Sequence, residues 1–154
     1  MSQVVILRPE PGASATLARA TAAGIEAGSP VPTDVMLPAP GQAAIGIECR
    51  ADDDELRALL LAIDHRATHR AVAIERAFTR ALGGTCHSPV AALAEFTSAG
   101  VRLRVEILSG DGSERISEER MIEEEAEAEA LAREMLSRAS PATRALFEGG
   151  GFDA

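Results

Sequence analysis

The sequence predicts an α+β fold: a three-stranded antiparallel sheet covered by helices on one face, preceded by an N-terminal strand–helix extension. Three observations carry that reading. "VRLRVEIL" alternates strictly, with Val101, Leu103, Val105 and Ile107 on one face and Arg102, Arg104 and Glu106 on the other, the pattern of a half-buried strand. "SGDGS" follows it with an Asp-Gly hairpin signal and leads into "ERISEERM", polar enough for an edge strand. The flanking segments around residues 68–82 and 122–139 carry apolar residues at helical spacing.

The elements follow in order. "QVVIL" at residues 3–7 is a short apolar strand, stopped by the two prolines and glycine of "RPEPG". Ser14 to Gly24 reads as an Ala-rich helix, with Ser14 as N-cap and Gly24 as the stop. An irregular stretch with Pro30 and Pro32 leads to the turn at Pro38, Pro40 and Gly41 and then to an expected strand, "AAIGIEC". Asp52 and Glu55 have capping-box spacing ahead of a helix in which Leu56, Leu59, Leu60 and Ile63 recur. The next helix, from about Thr68 to Leu82, buries Ile74, Ala77, Phe78, Ala81 and Leu82 and ends at Gly83-Gly84. "VAALAEFT" is the first strand of the sheet. After the hairpin, "IEEEAEAEALAREMLSRA" has acids early and Arg133 and Arg138 late, as the helix dipole favours, and "SPATRALF" adds a short helix with Pro141 at its first position. The expected divisions are an extension over 1–30, a hinge and strand segment over 31–50, a domain over 51–148 and a tail over 149–154.

Composition bounds the function. Hydrophobic residues make up 46% of the chain, enough for a core, but there is no Trp or Tyr, so Ala, Leu, Ile and Val must build it. A net charge of −9 without a basic run argues against a nucleic-acid partner. No apolar run approaches a membrane span, and the start lacks the basic and small-residue features of a signal peptide, so no membrane partner and a cytoplasmic location are expected. Two cysteines make no disulfide framework.

Cys86, in the loop "GGTCHSP", is the leading chemical candidate. An exposed cysteine near His87, Arg76 or Arg80 could act as a nucleophile. By residue type alone a free cysteine is more often a small buried filler. Cys49 ends an expected strand and reads as core. His65 and His69 have the i, i+4 spacing of some zinc ligands, but without an acid in place they read as surface or capping histidines. Asp52, Asp53 and Asp54 read as a helix cap, and Glu123 to Glu125 as a solvated helix start; no metal site is expected. "GQAAIG" is not a dinucleotide fingerprint.

"LPAPGQAAIGIECRADDDELRALLLAIDH", followed by "ERAFTRALGGTCHSPVAALAEF", resembles the C-terminal part of the porphobilinogen deaminase (hydroxymethylbilane synthase) family, from about Pro32 to Phe147. The Pro-x-Pro-Gly-Gln turn, the Ile-Glu-Cys strand end, the Glu-Arg-Ala helix and the Gly-x-Cys loop occur in the family's order and spacing. The resemblance implies that Cys86 anchors a dipyrromethane cofactor through a thioether, formed when a soft thiolate attacks the electrophilic methylene carbon of deaminated porphobilinogen. It also implies that Gln42 and Arg76 support the cofactor's carboxylates or pyrroles. The family usually has glycine directly before the cysteine, where this chain has Thr85.

The family's catalytic aspartate and most of its substrate-binding arginines have no match here. The expected function is therefore the cofactor-carrying domain of a tetrapyrrole-pathway enzyme, incomplete and inactive alone, with porphobilinogen-derived pyrroles and the missing deaminase domains, in trans, as partners. The alternatives are a non-catalytic remnant or interaction module, or a chimera. The chimera arises because "VVILRPEPGASATLARATAAG" also resembles the start of the uroporphyrinogen-III synthase family, although "ATLARATAAGIEAG" equally suits the helix closing the deaminase's second domain. The strand at Ala43–Cys49 is expected to pair with residues 3–7 or stay partly exposed, giving weak self-association.

Overall fold

A computed structural model describes residues 12–25 and 31–148. The expected strand at 3–7, the linker around Pro30 and the tail at 149–154 lie outside the described residues. The elements are α1 (Gly12–Ala22), α2 (Asp54–Leu61), α3 (Arg66–Leu82), β1 (Val90–Thr97), β2 (Gly100–Leu108), β3 (Arg115–Ile122), α4 (Glu125–Arg138) and α5 (Pro141–Arg144). The strands form one antiparallel sheet in the order β1-β2-β3, with Val105 opposite Ala92 on one side and Glu118 on the other.

The alternation in β2 sets the layers. Val101, Leu103, Val105 and Ile107 are all buried and face α3 and α4. Ile74, Ala77 and Phe78 of α3, and Ala128, Leu131, Ala132 and Met135 of α4, close the core from the other side. Each large side chain so removed from water contributes about 1.5–3 kcal/mol. The opposite sheet face carries charges: Arg102 and Arg104 both reach Glu95 at 3.1 Å.

Local signals end the helices. The His65 ring accepts the Thr68 backbone N–H at the start of α3, as a capping histidine does. Gly83 ends α3 in the left-handed region at φ 76°, which costs a glycine nothing. Before α4, the Glu127 carboxylate accepts the backbone N–H groups of Glu123 and Glu124.

Residues 31–42 run against β1, whose outer edge would otherwise leave backbone donors bare. The Ala92 N–H donates to the Pro38 carbonyl at 3.1 Å. The Ala94 N–H donates to Glu75 at 2.7 Å. Arg104 donates to the Thr33 carbonyl and hydroxyl at 3.1 and 2.9 Å.

Several expectations are corrected. Residues 44–50 form no strand, because no ladder partner stands beside them among the described residues. Ser14 falls inside α1 rather than capping it. The cap of α2 is Asp53, whose side chain accepts the Leu56 N–H at 3.0 Å, while Asp52 lies 3.5 Å from Arg50. The helical spacing of Leu56, Leu59 and Leu60 is real, yet α2 buries nothing; Leu59 is 66% exposed. Cys49 is half-buried rather than core.

Candidate functional site

The site is organised by one long side of α3. Midway along it, the turn at residues 39–43 holds left-handed Gly41 and Ala43, both at φ 67°. A side chain on Gly41 would touch Val72 at 3.8 Å, and the Gly41 N–H donates to Glu75 at 2.6 Å. Gln42 sits in this turn, exposed, and its side-chain carbonyl accepts the Ala39 N–H at 3.1 Å. The amide NH2 of Gln42 has no partner among the described residues. Arg76 follows Glu75 on the helix, exposed, with no hydrogen bond or ion pair among the described residues. Its neighbours on α3 are engaged: Arg70 with the Glu123 carbonyl and Arg80 with Glu125.

Further along, the helix stops and the cysteine loop begins. At 1.5 Å per residue, Gly83 lies roughly 12 Å along the axis from Glu75. A side chain on Gly83 would meet the Phe147 carbonyl oxygen at 2.5 Å, so this position needs glycine twice over. Ser88 then folds the loop back: its hydroxyl accepts the Thr85 N–H at 2.9 Å, and its N–H donates to the Thr85 carbonyl at 3.1 Å. The Thr85 hydroxyl accepts the His87 N–H at 3.2 Å. Cys86 is left exposed at the tip. The filler reading that residue type alone favours is thus overturned, because Cys86 is exposed while Thr85 and Ser88 make the loop's hydrogen bonds. Thr85, where the family usually has glycine, takes part in those bonds.

Arg76 lies on α3, Gln42 in the turn that Gly41 ties to Glu75, and Cys86 beyond the helix end, and no contact joins the three among the described residues. Among the described residues no group of His, Cys, Asp and Glu could hold a metal ion. His69 lies 3.0 Å from Asp64, away from any such cluster.

Sequence reasoning missed Glu75. Its carboxylate is 6% exposed and bridges the Gly41 and Ala94 N–H groups, tying the turn at 39–43 to the edge of β1. Burial pushes its pKa up, against the pull of those two backbone donors. A signal existed: Glu75 lies among Ala71, Val72 and Phe78 at helical spacing, where a solvated acid has no place.

The family description "Porphobilinogen deaminase, C-terminal domain" matches residues 69–139. "Porphobilinogen deaminase, dipyromethane cofactor binding domain" matches residues 12–58. The chain belongs to the porphobilinogen deaminase family. The porphobilinogen deaminase of Sphingopyxis alaskensis is 51% identical over 116 residues, 75% of this chain and 37% of that protein. That of Moorella thermoacetica is 42% identical over 114 residues, 72% of this chain and 36% of that protein. That of Paracoccus denitrificans is 50% identical over 91 residues, 59% of this chain and 29% of that protein. The chain thus spans about a third of the length of these deaminases. No described helix is long and apolar enough to cross a membrane.

Proposed function

We propose that this chain is the cofactor-attachment part of a porphobilinogen deaminase in tetrapyrrole biosynthesis, with Cys86 as the thiol that holds dipyrromethane. The observation that carries the reading is an exposed cysteine on an internally bonded loop at the end of α3, within the stretch that matches the family's C-terminal domain. The residues fit the group. Attachment needs an accessible sulfur, which Cys86 supplies, and the pyrroles' carboxylates need a cation, for which Arg76 is uncommitted. Gln42 adds an amide donor on a turn that Glu75 holds in place.

The chemistry suits a thiol. The Cys86 proton goes to solvent and the sulfur attacks the methylene carbon of a deaminated porphobilinogen. A carbon–sulfur bond forms, and the electron pair of the exocyclic double bond passes to the pyrrole nitrogen, which takes up a proton. When bound, dipyrromethane supplies the pyrrole carbon to which further pyrroles are joined.

Intact mass tests this. Expression with a supply of porphobilinogen is expected to add the mass of the dipyrromethane to the wild-type chain and nothing to Cys86→Ala. A wild-type chain of unmodified mass under those conditions overturns the reading.

The partner of this part, in our reading, is the remainder of a deaminase supplied in trans. Support comes from residues 43–63, where Ile45 is 92% exposed and Ile63 69%. We expect no hydroxymethylbilane release from the chain alone, because this sequence carries no match to the family's catalytic aspartate, which would steady a cationic intermediate. The same exposed residues favour, as a second reading, an interaction module without catalysis. That reading predicts binding to a partner but no adduct on Cys86.

A further inference from the structure

We propose that α5 and the turn after it form a brace that positions the Cys86 loop from below, and that Glu114 is the residue that sets the brace. The proposal rests on the reading of Cys86 as the attachment thiol. It concerns residues far from the cysteine in sequence and in none of the motifs that carry the family resemblance.

The brace is continuous. Glu114, just after the β2–β3 turn, accepts from the Ser140 hydroxyl at 2.7 Å, from the Ser140 N–H at 3.0 Å, and from the Thr143 hydroxyl. Thr143 is fully buried, so its hydroxyl has no water to turn to. Ser140 also caps α5 by accepting the Thr143 N–H at 3.2 Å. The N-cap of this four-residue helix and Thr143 within it are therefore tied to one carboxylate. The chain then turns, with Leu146 N–H donating to the Thr143 carbonyl and Phe147 N–H to the Arg144 carbonyl. Phe147 is 4% exposed and anchors the turn in the core.

Two carbonyls of that turn meet the cysteine loop. The Ser88 hydroxyl donates to the Leu146 carbonyl at 3.4 Å while accepting from Thr85. The Phe147 carbonyl occupies the space where Gly83 would carry a side chain. The loop's own hydrogen bonds fix its shape; the brace fixes where that shape sits relative to α3. A nucleophile must approach its carbon within a narrow distance and angle, so this placement matters more for attachment than for stability.

The test uses the full chain with Cys49→Ala, so that alkylation reports Cys86 alone. Glu114→Ala is compared with the parent by amide exchange at Thr85, His87 and Ser88, by iodoacetamide alkylation of Cys86, and by the rate of mass gain with porphobilinogen and a complete deaminase present to deaminate it. Exchange at the loop is expected to rise about fivefold and loading to slow roughly tenfold, with Glu114→Gln, which keeps an acceptor, returning both part-way. Ser88→Ala, a loop change that leaves the core intact, is expected to slow loading similarly. Loop exchange, alkylation and loading equal to the parent in Glu114→Ala would overturn the brace. If the parent itself never loads, the attachment reading fails, and the exchange and alkylation rates alone decide the brace.

Discussion

Residues 66–148 are less rich in apolar residues than residues 43–63, yet it is the former that bury theirs. In the first, the alternating residues of β2 and the spaced residues of α3 and α4 bury one another. In the second, Ile45, Ile47, Leu59, Leu61 and Ile63 are all more than half exposed. The difference lies in partners. A strand or an amphipathic helix becomes stable only when a second surface covers its apolar side, and β1, β2 and β3 supply that surface to one region alone. Residues 31–42 are the boundary case: they keep their place through hydrogen bonds to β1, Glu75 and Arg104 rather than through apolar burial.

The largest expected effect breaks the first region. Phe78→Ala removes a fully buried ring and should cost about 3–5 kcal/mol in denaturant unfolding, whereas Ile47→Ala should stay within about 0.5 kcal/mol. An equal loss at Ile47 would mean that residues 43–63 are covered in solution.

Next comes the joint between the regions. Glu75→Gln leaves one of two buried N–H donors without an acceptor and should cost about 1–3 kcal/mol. The pH dependence has a definite sign. Because the folded pKa of Glu75 is raised, the native state holds its proton at pH values where the unfolded chain has already lost it. Its contribution to stability is full below the unfolded value of 4.5 and declines as pH rises through the folded one. Glu75→Gln should remove that part of the pH profile, and an unchanged profile would show that Glu75 does not carry it.

The smallest effects sharpen the contrast. Ser140→Ala strips a cap joined to the packed region and should lower global stability by about 1 kcal/mol. Asp53→Ala strips the cap of α2, which buries nothing, and should speed amide exchange within α2 while leaving global unfolding unchanged.

Much of this was legible in the sequence, and the reason is range. The alternation of Val101 to Ile107, the Asp-Gly turn, the Gly83 stop and the Pro141 start depend on residues within about four positions of one another, which a linear reading sees whole. So the sheet, its order and the place of Cys86 beyond a helix end followed from the chain alone. The tertiary structure decided what depends on distant contacts. Glu75 meets Gly41 across 34 residues and Ala94 across 19, and Ser88 meets Leu146 across 58. It also decided that Ala43–Cys49, strand-like in every local respect, has no ladder among the described residues, and that Cys86 is exposed rather than packed away. Periodicity shows which side of an element is apolar, but only the assembled fold shows whether anything lies against it.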